Sequence, residues 1–390
     1  PSLRMLGHFL LACAVAALLE ASHVPSKTTV TRDPKTVLVL FGTRHGNRNP
    51  EKLVATKGRK WGQEGEMELT SIGKRQAYAL GKELRTFMSA PFLDPNYIAS
   101  QAKFYASSAG RCQSTLQSAL AGIYDPVDWA DWNKGLLDHW SPIPYTIDDP
   151  LLRMYSVKDC KASDDAWAPI SNDKLSDLQD LTKKNQALLQ YMKTKDGRDP
   201  TISNAADIAD NIINMDFFNI PYPDWLAKPT LSNYTAASIK KAFLEFAESH
   251  QKRCATYQPC QQMMGGLWAT HIVTAAENAV SGKGGAVKLI GYASHTEVTL
   301  SVMMIMGIAK YELDTSAGFV VEVRSDGKVR LLLHDPNPVD VHVIYPAKLD
   351  RKLKADNDGW IRLSDFKSYV SQLSFTDYKA ACAGSLSKAG

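Results

Sequence analysis

A histidine flanked by arginines follows the apolar segment at residues 36–42, in the stretch RHGNRNP at residues 44–50. Guanidinium groups are permanently charged, and their planar sets of N–H donors match the oxygens of a phosphate group. An imidazole can attack phosphorus and form a phosphohistidine, which water then hydrolyses. The residue types therefore predict that His45 is a nucleophile and that Arg44, Arg48 and Arg111 bind phosphate. A capped turn with solvated charges is the simpler alternative.

Gly46 fits the same chemistry, because a residue without a side chain lets the backbone pass close to the imidazole ring. We expect its carbonyl group to accept a hydrogen bond from one ring nitrogen and so to fix the tautomer of His45.

Apolar patterns place these residues at the ends of strands. Residues 36–42 and 286–294 are apolar runs typical of strands buried on both faces, and residues 102–108 form a third predicted strand. Amphipathic spacing predicts helices at residues 69–88, 109–124, 267–280 and 296–308. Ligands bind beyond the carboxyl ends of the strands in open α/β sheets. The segments at residues 44–50, 107–114 and 294–297 are therefore expected to meet in space.

The remaining patterns complete a fold prediction. Residues 318–323 and 328–333 alternate as strands around a Ser325-Asp326-Gly327 turn, and residues 341–345 form a further strand. Residues 164–250 alternate helical stretches with turns. We predict an α/β three-layer sandwich with a mainly parallel sheet, built from residues 34–145 and 263–385, with an inserted, mostly helical cap at residues 146–262.

The motifs carry a resemblance to a known family. RHGNRNP resembles the RHGxRxP signature of the histidine acid phosphatases, a branch of the histidine phosphatase superfamily. The segments ELTSIGKRQAYALGKELR, DHWSPIPYTI, KLIGYASH and IRLSDFKSYV are similar, in the same order, to segments of the prostatic and lysosomal acid phosphatases. The resemblance implies that His45 is the nucleophile, that Arg44, Arg48 and Arg111 bind phosphate, and that His295 donates to the same oxyanion. It also implies a disulfide between Cys160 and Cys382.

The sequence departs from that family at the proton donor. The acid phosphatases mostly have His-Asp where this chain has His295-Thr296-Glu297, whereas the related multiple inositol polyphosphate phosphatases have His-Ala-Glu. Glu297 matches the second spacing and is predicted to protonate the leaving oxygen, because an alkoxide is a poor leaving group. The alternative is structural, since Ser294 and Glu297 have the S-x-x-E spacing of a helix capping box.

A second departure lies before Arg111, where Tyr105-Ala106-Ser107 replaces an arginine that is usual in the acid phosphatases. Three functions remain open: an acid phosphatase, a phytase-like inositol polyphosphate phosphatase, and a binding protein that retains the pocket without turnover. A protonated Glu297 would make the enzyme prefer acidic conditions. The basic residues after the motif would favour polyphosphorylated substrates, although a solvated loop is the simpler interpretation: Lys52, Lys57, Arg59 and Lys60.

No cofactor is predicted. No group of His, Cys and carboxylate residues has metal-ligand spacing, and residues 354–361 lack the first ligand of a calcium loop because Lys354 occupies that position. The SGKGG segment at residues 281–285 precedes a strand and is interpreted as a turn rather than a phosphate loop.

Composition and the N-terminus indicate the compartment. The 45 basic and 41 acidic residues are interspersed, which argues against nucleic acid as a partner. Arg4 and the apolar run at residues 9–19 indicate a signal peptide over residues 1–23, with Met5 as a candidate initiator, and a secreted or lysosomal protein. No membrane anchor is predicted, Asn233 is a glycosylation candidate, and a homodimer is compatible with this interpretation.

Cysteine usage agrees with export. Five cysteines follow the predicted signal, so two disulfides and one buried free cysteine are expected. Cys254 and Cys260 are close enough in sequence to close a local loop, and Cys112 is predicted to be a buried small residue rather than a reactive thiol.

Overall fold

The central sheet is the frame on which the rest of the chain packs, and it is seen in a computed structural model that describes residues 24–56, 61–132 and 139–384. Its strands within these residues are β1 (Thr36–Arg44), β2 (Ala102–Ala106), β3 (Thr146–Ile147), β4 (Leu289–Ser294), β5 (Gly318–Arg324), β6 (Lys328–Pro336), β7 (His342–Pro346) and β8 (Trp360–Arg362). The strand order is β3-β2-β4-β1-β5-β6-β7, with β8 paired to the first three residues of β6.

The sheet is mixed. Strands β3, β2, β4 and β1 run parallel, as expected for strands connected through helices. Strand β1 then pairs antiparallel with β5, which continues into the antiparallel β6, β7 and β8. The predicted α/β class is confirmed, and its parallel part is the half of the sheet that carries the candidate site residues. The predicted hairpin is the β5–β6 turn, where Gly327 has a φ of 76°.

Helices cover both faces of the sheet. Those within the described residues are α1 (Ser71–Met88), α2 (Gly110–Ile123), α3 (Asp149–Leu152), α4 (Lys161–Ser171), α5 (Ser176–Lys184), α6 (Gln186–Asp196), α7 (Ile202–Phe217), α8 (Asp224–Ala227), α9 (Ala236–Leu244), α10 (Ser249–Thr256), α11 (Gln258–Val280), α12 (Thr296–Ile305), α13 (Leu363–Val370) and α14 (Tyr378–Cys382).

Two apolar cores separate the three layers. On one face, Leu80 and Leu84 of α1 and Leu116 of α2 pack against Phe41 and Phe104 of the sheet. On the other face, α11 and α12 form one continuous core with the sheet and with helices α4 to α10. Burial of these side chains is the main stabilising contribution to such a fold. The helical insertion is therefore packed onto the sheet through apolar contacts, while its boundaries at residues 146 and 262 stay a prediction.

Two disulfides join the predicted cysteine pairs. Cys160, at the start of α4, is bonded to Cys382 at the end of α14, and Cys254 is bonded to Cys260 across the junction of α10 and α11. Cys112 is free and buried, as predicted. The first bond covalently ties the helical insertion to the C-terminal helix.

The two segments that were compared with ligand-binding loops are turns in the structure. The SGKGG segment and residues 356–359 form turns. Among the described residues, no helix has the length and apolar character needed to span a membrane, and no group of three or more His, Cys, Asp and Glu side chains is arranged to hold a metal ion. The predicted signal peptide and the basic residues Lys57, Arg59 and Lys60 lie outside the described residues.

Candidate active site

The three predicted motifs meet at the carboxyl ends of parallel strands. Arg44, the last residue of β1, is paired in register with Ser294, the last residue of β4. The backbone nitrogen of His45 donates to the Ser294 carbonyl at 2.9 Å, and that of Ser107 donates to the Ala293 carbonyl at 3.2 Å. The strand pairing therefore brings together residues that are up to 250 positions apart in the chain, as the strand-end argument predicts.

The His45 loop is held against α1 and α2. The Gly46 backbone nitrogen donates to Thr115 Oγ1 at 3.0 Å, and the Asn47 nitrogen donates to Gln76 Oε1 at 2.9 Å. A Cβ atom on Gly46 would lie 2.5 Å from the carbonyl oxygen of Gly73, so the loop approaches the helix more closely than any other residue type permits.

His45 has the tautomer that a nucleophile requires. Its Nδ1 lies 2.9 Å from the Gly46 carbonyl oxygen, and because a carbonyl only accepts, Nδ1 carries the proton and Nε2 keeps its lone pair. Burial lowers the pKa of His45 well below its usual value, and the charges of Arg111, Arg44 and Arg48 act in the same direction. His45 is 3% exposed, and its burial favours the neutral form of the ring.

All three predicted arginines are at the site, and each already has a protein partner. Arg44 donates to the Leu313 carbonyl at 2.6 Å through Nη1 and forms an ion pair with Glu248 through Nη2. Arg48 Nη2 lies 2.8 Å from Asp210 Oδ2. The Nε atoms of Arg44 and Arg111 are buried, and neither has a hydrogen-bond partner among the described residues. Buried N–H donors without partners are costly, so these two are candidate donors to a bound acceptor.

His295 orients Arg111. Arg111 Nη2 lies 3.2 Å from His295 Nδ1, and because a guanidinium group only donates, Nδ1 is the acceptor. The proton of neutral His295 is therefore on Nε2, which donates to Ser107 Oγ at 2.9 Å. Ser107 belongs to the Tyr105-Ala106-Ser107 segment, where the family resemblance leads one to expect an arginine. Burial and the charge of Arg111 hold the pKa of His295 well below its usual value.

Glu297 lies in the first turn of α12, beside the same group of side chains. The predicted capping box does not form, because His295 is the N-cap residue and Ser294 Oγ instead donates to the Leu152 carbonyl at 2.7 Å. Glu297 is 6% exposed. Burial raises its pKa, the charge of Glu248 acts in the same direction, and a hydrogen bond from the Tyr155 hydroxyl group acts in the opposite one.

Residues from the helical insertion complete the site, and sequence reasoning missed them. Tyr155 packs edge-on against His295, with ring centroids 5.6 Å apart, and the Arg153 guanidinium lies over the Tyr155 ring. Glu248 holds a left-handed φ of 57° just before α10. The only sequence signal for Glu248 and Asp210 is that carboxylates occur on helices predicted to cover the sheet. Nothing in the spacing assigns them to particular arginines.

A cavity of about 450 Å³ opens beside Arg44 and Arg48. It lies between the His45 loop, α7 and the segment that precedes β5. The site therefore consists of a buried histidine surrounded by N–H donors, next to an open space large enough for a small organic group.

The comparisons with known proteins agree with this arrangement. Residues 36–320 match the family model of the histidine phosphatase superfamily, branch 2, and the chain belongs to that family. A lysosomal acid phosphatase of Xenopus laevis is 25% identical over 302 residues, which are 75% of this chain and 65% of that protein. The chain thus spans somewhat less than two thirds of the length of this relative.

Solved structures show the same fold at low identity. The Hafnia alvei phytase in complex with myo-inositol hexakis sulphate superposes with a TM-score of 0.60 at 14% identity, covering 89% of this chain and 98% of the phytase. The Bifidobacterium longum multiple inositol polyphosphate phosphatase in complex with inositol hexasulfate gives a TM-score of 0.57 at 11% identity, covering 90% of this chain and 96% of the other. Similarity at this level of identity concerns the fold alone.

Proposed function

We propose that this member of the histidine phosphatase superfamily is an acid phosphatase that hydrolyses phosphate monoesters through a phosphohistidine on His45. The observation that carries the proposal is the tautomer of His45: Nδ1 is bonded to the Gly46 carbonyl, so that Nε2 is free beside the guanidinium groups. A neutral imidazole with an available lone pair, surrounded by donors for an oxyanion, matches the needs of attack on phosphorus.

In the first step, His45 Nε2 forms a bond to phosphorus while the bond between phosphorus and the leaving oxygen breaks. The carboxyl proton of Glu297 is transferred to that oxygen, so an alcohol departs. Arg44, Arg48 and Arg111 bind the phosphoryl oxygens. His295 was predicted as a further donor, but its one ring proton, on Nε2, already donates to Ser107 Oγ. We therefore propose that His295 acts by holding Arg111 in place.

In the second step, water attacks phosphorus and the bond to Nε2 breaks. The Glu297 carboxylate takes a proton from the water, which returns the carboxyl group to its acid form, and inorganic phosphate leaves. The raised pKa of Glu297 supports this cycle, because a carboxyl group must hold its proton at the working pH in order to donate it. Activity is expected to fall as the pH rises through the pKa of Glu297.

We also propose that the protein works in the extracellular space or the lysosomal lumen. Its two disulfides support this, because such bonds persist in oxidising compartments. Asn233 is exposed in a turn before α9, which is consistent with glycosylation at that position.

The direct test is hydrolysis of p-nitrophenyl phosphate at mildly acidic pH by the wild type and by His45→Ala. The wild type should turn over, and His45→Ala should lose about 10³-fold or more in kcat. Phosphate binding without turnover by the wild type would instead favour a binding protein on this fold.

A second comparison tests the proton donor. Glu297→Gln should lose on the order of 10² to 10⁴ in rate on an alkyl phosphate, and less on p-nitrophenyl phosphate, because nitrophenolate leaves with little protonation. Equal losses on the two substrates would show that Glu297 is not the donor.

A further inference from the structure

Two adjoining cavities lie near the amino ends of the parallel strands. The inner cavity, of about 110 Å³, lies between α11 and the sheet, where Leu38 of β1 and Ile290 of β4 line it. The outer groove, of about 480 Å³, opens beside it, and Ala279 and Val287 line both spaces. We call the two spaces together the amino-end site, because one ligand can extend from one into the other.

The amino-end site is separate from the candidate active site. Arg44 is the last residue of β1, and the six residues of extended chain from Leu38 to Arg44 span about 20 Å. No residue that lines the amino-end site belongs to the group of side chains around His45. A ligand bound there would leave the phosphate-binding arginines free.

The inner cavity has an apolar wall. The rings of Tyr105 and His271 line it and meet edge-on, with centroids 5.3 Å apart. Burial lowers the pKa of His271, which favours the neutral form of its ring. The rest of the apolar wall consists of aliphatic side chains from β1, β4, α11 and the segment before β4: Leu38, Ile290, Ala275, Ala279 and Val287. Such a wall accommodates a short apolar chain.

The charged side chains that line the two spaces are all cationic. Lys103 lines the inner cavity and Arg32 and Lys288 line the outer groove, and no Asp or Glu is among the described residues that line either space. Arg32 Cζ lies 4.6 Å and Lys288 Nζ lies 6.0 Å from the centroid of the same Phe92 ring. Arg32 donates to two backbone carbonyl groups, and within the described ranges no ion pair joins these three cations to a carboxylate. Their charge is therefore available to an anion.

We infer that the amino-end site binds an amphipathic monocarboxylate. The aliphatic chain enters the inner cavity, and the carboxylate lies in the outer groove with Arg32 and Lys288. The two parts of the site match the two parts of such a molecule, because the apolar wall removes the chain from water and the cations complement the carboxylate charge. The inference does not depend on the proposed function, since the site shares no residue with the group around His45.

Octanoate is the probe for this site. A ligand-observed NMR titration of the full chain should give a dissociation constant on the order of 1 mM. Across butyrate, hexanoate and octanoate, the affinity should rise about threefold or more for each added methylene, because each one buries further apolar area. The catalytic arginines can also bind a carboxylate, so the titration is repeated with inorganic phosphate at constant ionic strength. Phosphate should leave the octanoate affinity unchanged.

Two substitutions test the two parts of the site. Lys288→Glu should weaken octanoate binding by about tenfold or more, because it places a negative charge beside the carboxylate. Ala279→Leu adds volume where the two spaces meet and should abolish the gain in affinity from butyrate to octanoate. Lys183→Glu and Ala187→Leu are the matched controls, since they make the same changes at exposed positions of α5 and α6 and should bind octanoate as the wild type does.

The outcomes are decisive for the site alone. Absence of octanoate binding by the wild type, displacement of octanoate by inorganic phosphate, or equal affinity for the three chain lengths would overturn the inference. Losses in the control variants as large as those in Lys288→Glu and Ala279→Leu would also overturn it, and circular dichroism verifies that each variant is folded. The chain-length series and the phosphate competition use the wild type, so they decide the question even where a variant does not fold. Failure to hydrolyse any monoester would bear on the proposed function and not on this site.

Discussion

Glu297 and His45 carry opposite proton states for the same physical reason. Burial disfavours the charged form of each group, so it raises the pKa of the Glu297 carboxyl and lowers the pKa of the His45 imidazole. Burial therefore favours the protonated form of the carboxyl and the neutral form of the imidazole. The proposed proton donor and the proposed nucleophile can thus coexist in one buried site.

Tyr155 adjusts the pKa of Glu297. Its hydroxyl group donates to Glu297 and so lowers the pKa of that carboxyl. In Tyr155→Phe the ionised Glu297 carboxylate loses this hydrogen bond, so the pKa of Glu297 rises. The fall in activity with rising pH should therefore begin at a higher pH than in the wild type. The measurement is the pH dependence of kcat/KM for glycerol 2-phosphate.

The control for this experiment is Tyr145→Phe. The Tyr145 hydroxyl group is hydrogen-bonded to Gln113 and Gln117 and not to Glu297. The variant should therefore keep the wild-type pH profile. A Tyr155→Phe profile that is unchanged, or that moves to lower pH, would contradict the assignment of this hydrogen bond.

At the scale of elements, the contact between α1 and the His45 loop sets the position of the proposed nucleophile. A Cβ on Gly73 would lie 2.2 Å from the Asn47 carbonyl oxygen, a backbone atom that cannot move without displacing the loop. The glycines at positions 46 and 73 thus allow a helix and a catalytic loop to touch along their backbones.

Gly73→Ala should therefore lower kcat/KM by about 10²-fold or more, because a displacement of about 1 Å in a reacting group costs that much. Gly284→Ala is the control, since a Cβ there meets no atom closer than 3.4 Å. Steady-state kinetics on p-nitrophenyl phosphate check both variants. Wild-type activity in Gly73→Ala would mean that the loop does not depend on this contact.

The elements that carry the site show how much of the fold the sequence could predict. Local patterns are sufficient for β1, α1, α2, β4 and α12, because each depends on spacing within a short segment, and the ends of parallel strands then bring His45, Arg111 and Glu297 together. The antiparallel pairing of β1 with β5 lies beyond such reasoning, since it joins segments that are distant in sequence. Glu248, Asp210 and Tyr155 were missed for this reason: packing of the insertion on the sheet positions them, and no motif marks them.

At the scale of the whole molecule, covalent links fasten the insertion. The bond between Cys160 and Cys382 closes a loop of 222 residues, whereas that between Cys254 and Cys260 closes a loop of 6. In the chain-entropy account, the longer loop restricts the unfolded chain more strongly.

Replacing both cysteines of the first pair by serine should reduce the free energy of unfolding by about 5 kcal/mol, and the same change in the second pair by about 2 kcal/mol. Urea unfolding under non-reducing conditions measures both losses, and each double variant serves as the control for the other. Equal losses would show that loop length does not govern this stability.

The central claim is that His45 carries the phosphoryl group during turnover. Wild-type protein mixed with radiolabelled p-nitrophenyl phosphate, quenched within the first turnovers and digested, should yield label on the peptide that contains residue 45, bound through a linkage that is labile in acid and stable in base. Turnover at the same rate with no such label on that peptide would contradict the account.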